Sequence, residues 1–221
     1  MAVLRVLSIN LLVDRAEPGA LRSLLVDADP DVVVTQEMGV RTARVISRLF
    51  PHGHLDPRDD FFGLGIATKR PVAVQRLDLE ERSGWVAHLD PDTWPELSSP
   101  LDVLDIHLVN PTNRPWGESR DKRRLQIKQI GTFLDGRDGA SVIIGDMNAT
   151  PAWAEHKLLS LLGSDAAAVT GTTNRTWSHF KWGPRLLRID HAFVAGVQPL
   201  RTSVQRLKGS DHLALIVDLE V

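Results

Sequence analysis

The stretch VIIGDMNATP, residues 142–151, contains the pattern from which the fold and a candidate site can be inferred. An apolar run typical of a buried strand stops at a glycine, and Asp146 and Asn148 follow at once. Thr150 and Pro151 then predict the start of a helix, with Thr150 as its N-cap and Pro151 at its first position. A carboxylate and a carboxamide in this place either close a turn or take part in chemistry.

The composition limits the class of protein. A length of 221 residues suits one domain spanning 1–221. Cysteine is absent, so disulfides and thiolate metal sites are excluded, and any metal must bind oxygen or imidazole. A net charge of −2 argues against a broad positive field that grips long nucleic acid.

The chain contains no sign of membrane targeting. No stretch approaches the roughly 20 apolar residues that a membrane span needs. The opening segment MAVLRVLSIN is too short and too strand-like for a secretory signal. The sequence therefore predicts a cytoplasmic protein without stable membrane insertion, and we expect a monomer.

The pattern of apolar residues predicts a mixed fold. Strands are expected at about 2–10, 31–36, 61–68, 71–78, 84–90, 101–109, 140–146, 188–195, 201–206 and 212–220. Helices are expected at 18–28, 40–50, about 118–134, and 151–162. The middle strands follow one another without helices, as hairpins do, so the expected class is α/β (α+β) with largely antiparallel pairing. Two packed sheets with helices outside would bury the apolar runs on both faces.

Polar residues collect where the predicted strands begin or end. Each alone has an ordinary explanation as a turn former, a helix cap or a satisfied core histidine. Taken together they favour a site, because strand ends from one core can converge at one rim. The residues are Asn10, Glu37, His107, Asn110, Asp146, Asn148, Asp190, Asp211 and His212.

The ordered segments SIN, TQE, HLVN, GDMNATP, RIDH and SDHLA resemble the endonuclease/exonuclease/phosphatase superfamily, which has a deoxyribonuclease I-like fold. The resemblance spans nearly the whole chain, from Asn10 to His212. It implies a four-layered α/β sandwich of two mainly antiparallel sheets with helices outside. It also implies a phosphoesterase that depends on a divalent metal, usually Mg²⁺ or Mn²⁺.

The resemblance also implies roles at the metal. Glu37 resembles the principal metal ligand of the family, and Asn10 resembles the asparagine beside it. Asp211 resembles an acid that often lies close to the metal. Magnesium suits such a sparse shell, because it keeps several waters and accepts one or two carboxylates.

The catalytic roles are carried over in the same way. Asp146 and Asn148 resemble the pair that orients the attacking water and holds a phosphate oxygen. Asp190 resembles the carboxylate that orients the final histidine, here His212. His107 matches a histidine of the deoxyribonuclease branch, where it would bind phosphate or protonate the leaving group. Two alternatives stay open: Asp146 acts on the water while His212 is protonated beside phosphate, or His212 itself is the base.

The sequence departs from the family at one motif position. Many members carry an aromatic residue after the aspartate of the RID motif, where this chain has His191, and we assign His191 no catalytic role. The chain also lacks tyrosine, so no role can require a phenol.

The residues that would bind substrate are less specific. Asn110 falls where apurinic endonucleases also carry an asparagine. Arg124 lies with Arg120 and Lys128 on one face of the third predicted helix, which is either a solvated face or a patch that steers phosphate. Trp177 and Trp182 alternate with basic residues in a segment that suits stacked bases, a lipid-like substrate or plain packing.

The sequence therefore predicts a Mg²⁺- or Mn²⁺-dependent phosphoesterase that attacks with an activated water. The short chain and its slightly acidic balance favour a compact substrate: a small phosphorylated molecule, a lipid phosphate head or a nucleic-acid end. The alternative within the same family is a DNA or RNA nuclease, with nucleic acid as partner. A second alternative is a binding module that has lost catalysis.

Overall fold

The structure is a computed structural model that describes residues 2–112, 116–137, 139–172, 175–178 and 184–221. These residues form two six-stranded sheets. The strands are β1 (Val3–Asn10), β2 (Val32–Gln36), β3 (His52–Asp56), β4 (Leu64–Thr68), β5 (Ala73–Leu79), β6 (Arg82–Leu89), β7 (Leu101–His107), β8 (Ala140–Asp146), β9 (Ser164–Asp165), β10 (Asp190–Ala195), β11 (Gln198–Arg206) and β12 (Leu213–Glu220). The helices are α1 (Pro18–Ala28), α2 (Val40–Leu49), α3 (Trp116–Leu134), α4 (Ala154–Leu159) and α5 (Ala166–Val169).

The first sheet has the strand order β11-β12-β1-β2-β4-β3, and the second has the order β5-β6-β7-β8-β10-β9. Each sheet is antiparallel except for one pair, β1 with β2 and β7 with β8. In the parallel pairs, Asn10 lies opposite Gln36 and His107 lies opposite Asp146. The polar ends of these strands therefore sit side by side.

Three apolar clusters hold the molecule in four layers. The first lies between the sheets and includes Val34, Val103 and Val142. The second packs α1 and α2 on the outer face of the first sheet, and the third packs α3 and α4 on the outer face of the second. Fully burying one large aliphatic side chain contributes about 1.5–3 kcal/mol, so these clusters fix the sheets face to face. The predicted sandwich of two mainly antiparallel sheets with helices outside is confirmed.

The segment between β1 and α1 has an unusual backbone. Leu12, Val13 and Asp14 all have left-handed φ angles, of 51°, 50° and 59°. Each such residue costs about 1–2 kcal/mol unless its surroundings compensate. Part of the compensation comes from Asp14, whose carboxylate accepts hydrogen bonds from the backbone amides of Arg41 and Thr42 and so caps α2.

Three features of the fold differ from the sequence-based expectation. The predicted helix 151–162 is wrong in its extent: the helix runs from Ala154 to Leu159, and Trp153 is its N-cap. Thr150 does not cap it, because its carbonyl accepts a hydrogen bond from the Trp153 amide and closes a turn instead. The run of hairpins also breaks once, because β4 and β5 lie in different sheets.

The sequence also missed β3, β9 and α5. The β3 sequence HGHLD has little apolar character, and Gly53 has a φ angle of 112°. Such an edge strand forms because β4 pairs with it. The local sequence of β3 does not indicate this pairing. Among the described residues, none of the helices has both the length and the apolar character to cross a lipid bilayer.

Candidate active site

The strand ends of the two sheets meet in one buried polar cluster. The first sheet supplies Asn10 at the end of β1 and Glu37 directly after β2. The second supplies His107, Asp146 and Asp190 from three neighbouring strands, in which Asp146 pairs with both of the others. The structure thus brings together residues that are far apart in the chain.

Asn10 joins the carboxylates of the two sheets. Its Nδ2 donates to Glu37 Oε1 at 3.0 Å and to Asp146 Oδ2 at 3.1 Å. Its Oδ1 accepts a hydrogen bond from the Leu12 amide at 2.9 Å. The amide nitrogen, rather than the oxygen, therefore faces the centre of the cluster.

Glu37 is held in an unusual backbone conformation, with a φ angle of 54°. Burial raises the pKa of its carboxyl group, the hydrogen bond from Asn10 lowers it, and the negative charge of Asp211 adds to the rise. A carboxylate in this environment gains stability from a nearby cation.

His212 and Asp190 form a buried pair. The Nδ1 atom of His212 lies 2.9 and 3.0 Å from the two carboxylate oxygens of Asp190. Burial opposes a charge on the ring, but Asp190, Asp146 and Asp211 outweigh it and raise the pKa of His212 to about 10. His212 is therefore protonated at neutral pH, and its Nε2 lies 3.8 Å from Asp146 Oδ2.

Asp146 lies at the centre of the cluster. Burial raises its pKa to about 7, with His212 lowering it and Asp190 raising it further. Its Oδ1 accepts a hydrogen bond from the Asn148 amide at 2.9 Å, and Asn148 has a φ angle of 46°. Among the described residues, the Asn148 side chain donates one hydrogen bond, to the Leu108 carbonyl at 3.0 Å, so one of its two N–H groups is left for a ligand. The segment therefore both closes a turn and presents a carboxylate.

His107 completes the cluster from the second sheet. Its Nε2 lies 3.6 Å from Asp146 Oδ2 and 4.0 Å from Glu37 Oε1. Burial lowers the pKa of its ring well below the usual value, and the charges of Arg82 and His212 lower it further. A hydrogen-bonding interaction with the Phe61 backbone opposes this shift only in part, so the ring is neutral at neutral pH.

Asp211 and Trp177 form the edge of the cluster. Trp177 Nε1 donates to Asp211 Oδ2 at 3.0 Å, and Trp177 also bridges to His212 through the backbone. The other oxygen, Asp211 Oδ1, is buried and accepts no hydrogen bond from the residues that the structure describes. It lies 4.0 Å from His212 Nε2.

The donor set fits a hard divalent cation. Glu37 is a half-buried carboxylate with a raised pKa, and Asp211 offers a buried oxygen, Oδ1, that has no hydrogen-bond partner among the described residues. These oxygen ligands, without any thiolate, are those that Mg²⁺ and Mn²⁺ prefer. The acidic and histidine side chains here could hold a metal ion.

A second group of buried ligand-type side chains consists of His156, Asp165 and His191. Both carboxylate oxygens of Asp165 accept hydrogen bonds from Arg188, at 2.9 and 2.7 Å, and one is 3.0 Å from His156 Nε2. Burial favours the neutral acid, but these two partners outweigh it and keep the pKa of Asp165 below its usual range. The guanidinium already supplies the positive charge that a metal would bring.

The remaining expected substrate residues lie outside the hydrogen-bonded cluster. Asn110 is exposed, and its Oδ1 accepts hydrogen bonds from the amide and hydroxyl of Thr112, as in a simple turn. Arg124 lies 3.9 Å from Glu155, beside a shallow cleft that also contains Trp153. Trp182 lies outside the described residues.

Two features of the site were not found from the sequence. Asp105, fully buried in β7, accepts a hydrogen bond from Gln36 Nε2 at 2.6 Å and so ties the two sheets together behind Glu37 and His107. An aspartate at an apolar position of LDVLDIH was the signal for it. Arg82, at the start of β6, acts electrostatically on Glu37, Asp146 and His107. Its position depends on packing across the sheets, which no local pattern shows.

The comparisons with known proteins agree with this geometry. The sequence pattern of the Endonuclease/Exonuclease/phosphatase family matches residues 7–212. The chain belongs to the endonuclease/exonuclease/phosphatase family, whose members are hydrolases of phosphoesters. A search of curated protein sequences gave no significant match.

Several solved structures share the fold. An endonuclease/exonuclease/phosphatase from Bacteroides vulgatus is 17% identical, with all of both chains covered and a TM-score of 0.78. A functionally unknown conserved protein from Enterococcus faecalis is 16% identical, with 98% of this chain and 99% of that chain covered and a TM-score of 0.76. Truncated TDP2 from Caenorhabditis elegans is 17% identical, with 98% and 97% covered and a TM-score of 0.71.

Proposed function

We propose that the chain is a Mg²⁺- or Mn²⁺-dependent phosphoric ester hydrolase in which a water molecule attacks phosphorus directly. One observation carries the proposal. The carboxylate of Asp146 lies between the Nε2 atoms of His107 and His212, at 3.6 and 3.8 Å, and Asn10 links it to Glu37. A carboxylate, a protonated imidazole and a neutral imidazole at one buried point can orient a water and hold a phosphoryl group.

His212 supplies positive charge in this reaction. Its Nδ1–H is directed to Asp190, and its Nε2–H is left to donate to a phosphoryl oxygen. A pKa of about 10 supports this role over that of a general base, because the ring holds its proton at neutral pH.

Asp146 then orients the attacking water and accepts its proton. A pKa of about 7 suits a group that must be ionised and still take a proton near neutral pH. Asn148 contributes its remaining side-chain N–H to a nonbridging oxygen. His107, a neutral ring, holds phosphate by hydrogen bonding rather than by charge.

Glu37 and Asp211 are the residues that would hold the divalent ion, while Asp146 acts on the water. When bound, the ion would polarise the phosphoryl group and offset its negative charge. The amide nitrogen of Asn10 faces Glu37 and Asp146, so we propose that Asn10 positions these carboxylates through hydrogen bonds. Trp177 positions Asp211 in the same way.

We propose a compact substrate, such as a small phosphorylated molecule, a lipid phosphate head or a nucleic-acid end. The net charge of −2 supports this choice over a long duplex. Cleavage of DNA or RNA is the alternative within the same chemistry. A binding module without catalysis is less well supported, since Asp146, Asp190 and His212 are all in place.

Turnover of two synthetic esters tests the proposal. The wild type should hydrolyse bis-p-nitrophenyl phosphate or p-nitrophenyl phosphate only with added Mg²⁺ or Mn²⁺, and the preferred ester separates diesterase from monoesterase. Asp146→Asn should lower kcat by about 10²- to 10⁴-fold. The control Asp121→Asn changes an exposed carboxylate on α3 and should leave turnover unchanged. Metal-dependent turnover that persists in Asp146→Asn would contradict the assignment.

A further inference from the structure

Four carboxyl groups meet at the candidate site, where a bound divalent ion would offset only part of the negative charge. The cluster contains the carboxyl groups of Glu37, Asp146, Asp190 and Asp211, together with the rings of His107 and His212. An anionic phosphoester entering such a site needs further positive charge. Arg124, the basic residue singled out from the sequence, is instead placed beside Glu155.

Arg82 is a cation in a suitable position. Its charge acts on Glu37 and Asp146, and it lowers the pKa of His107. Within the described part of the chain, no carboxylate oxygen lies within the 4.0 Å of an ion pair with Arg82. Its guanidinium therefore lies within electrostatic reach of the site carboxylates and forms no close ion pair with a described carboxylate.

Two phenylalanines hold the Arg82 guanidinium. Its Nη1 donates to the Phe61 carbonyl at 2.7 Å. Its central carbon lies 4.5 Å from the centre of the Phe62 ring and 5.8 Å from that of Phe61. A guanidinium has five N–H groups, and among the described residues Phe61 accepts a hydrogen bond from one of them, which leaves the others for a ligand. Stacking of the guanidinium on aromatic faces stabilises this placement.

The loop that carries Phe61 and Phe62 is fixed beside Glu37. The Gly63 carbonyl accepts from the Met38 amide at 3.1 Å, and the Arg58 amide donates to the Met38 carbonyl at 2.9 Å. Gly63 approaches so closely that an added Cβ would lie 1.9 Å from the Met38 carbonyl oxygen. Met38 directly follows Glu37, so the loop and the candidate metal ligand are held as one unit.

The environment of Arg82 favours an anionic ligand. Burial lowers the pKa of its guanidinium, and the acidic neighbours raise it again only in part. A partly desolvated cation without a close counterion binds a phosphate oxygen more strongly than a solvated one does. Phe61 and Phe62 remain 51% and 40% exposed, which leaves the approach to this side of the site open to solvent.

We propose that Arg82 binds a phosphoryl oxygen of the substrate, and that the Phe61 carbonyl and the Phe62 ring hold its guanidinium in position. This inference rests on the proposed phosphoesterase function and identifies the side of the site on which the phosphoryl group is held. The guanidinium fork matches two oxygens of one phosphate, so a lysine would keep the charge but not the paired hydrogen bonds.

The test is calorimetric titration of inorganic phosphate into the Mg²⁺-supplemented protein. Arg82→Gln should weaken phosphate binding by about 10- to 100-fold, Arg82→Lys by less, and Phe62→Leu by about 2- to 10-fold. The matched control is Arg76→Gln, which changes an exposed arginine paired with Asp78 on the neighbouring strand and should bind phosphate as the wild type does. Thermal unfolding of each variant checks that the fold is retained.

The outcomes separate this inference from the proposed function. Phosphate binding that is equal in the wild type and Arg82→Gln, or no phosphate binding by the wild type, overturns the role of Arg82 whether or not the esters are hydrolysed. Loss of phosphate binding in Arg82→Gln supports it even if the synthetic esters are not turned over. If they are turned over, Arg82→Gln should also raise KM.

Discussion

His212 combines a buried ring with carboxylates on two sides, and this arrangement determines how the site responds to pH. Asp190 binds Nδ1, while Asp146 faces Nε2. The ring is 4% exposed, so it would lose its charge if its carboxylate partners were removed. Its protonation is therefore a property of the pair with Asp190 rather than of the histidine alone.

Asp190→Asn should lower kcat by about 10²- to 10⁴-fold, because the His212 ring loses both its orientation and its charge.

Wild-type activity should fall as the pH rises through about 10, where His212 loses its proton. Removing the carboxylate lowers the pKa of His212, so the alkaline fall should move to lower pH in the variant. The pH–rate profiles of the two proteins measure this shift. A wild-type activity that rises through this range would instead make His212 the base.

The same pair links stability to pH. The folded-state pKa of His212 lies above its unfolded value of about 6.5. The stability from its protonation is therefore fully present below about pH 6.5 and is lost as the pH rises through about 10. The difference in the free energy of unfolding between the wild type and Asp190→Asn should therefore become smaller as the pH rises from about 6.5 to about 10.

Glu37 is the residue that tests metal binding separately from catalysis. Glu37→Gln keeps the shape of the side chain but removes the charge, and should weaken Mn²⁺ binding by about tenfold or more in a calorimetric titration. The control Glu118→Gln changes an exposed carboxylate that pairs with Lys122 on α3. Equal Mn²⁺ affinity in the wild type and Glu37→Gln would show that the ion binds elsewhere.

At the scale of single elements, β8 explains the glycine in the opening stretch. Gly145 has a φ angle of 144°, and an added Cβ would lie 2.0 Å from the Ile106 carbonyl oxygen. It would also lie 3.1 Å from Gln36 Nε2, the group that binds Asp105 across the sheets. The glycine therefore allows β7, β8 and β2 to approach closely just before Asp146.

Gly145→Ala should lower the free energy of unfolding by about 3 kcal/mol or more, because the clash is with backbone and the φ angle is unfavourable. Gly19→Ala is a matched control on α1, where nothing lies within 4 Å of the added Cβ. It should change stability by less than about 1 kcal/mol. Urea denaturation measures both, and equal values for the two variants would contradict the close approach.

The elements also show what the sequence could predict. Strands such as β2 and β8 were recognisable because apolar runs end on polar residues, and this pattern also located Glu37 and Asp146. The start of helix α4 was predicted too early, because Thr150 and Pro151 are as common in a turn as at the start of a helix. Strand β3 was missed because its stability comes from pairing with β4.

At the scale of the whole molecule, the site depends on the packing of two sheets. Asn10 of the first sheet binds Asp146 of the second, and Gln36 binds Asp105 across the same interface. The resemblance in ordered motifs could indicate which residues meet, because the family pattern covers residues 7–212. It did not indicate Arg82 or Asp105, whose positions follow from how the sheets face each other. A single domain over 1–221, a monomer and a cytoplasmic location stay predictions.

The most direct test of the central claim is to follow hydrolysis in water labelled with the heavy oxygen isotope, using whichever synthetic ester is turned over. Phosphorus NMR of the product shows whether the label is bonded to phosphorus. Attack by water predicts one labelled oxygen on the phosphoryl product with Mg²⁺ or Mn²⁺, and about 10²- to 10⁴-fold less of this product over the same time with Asp146→Asn. A product without label on phosphorus would contradict attack by water on the phosphoryl group.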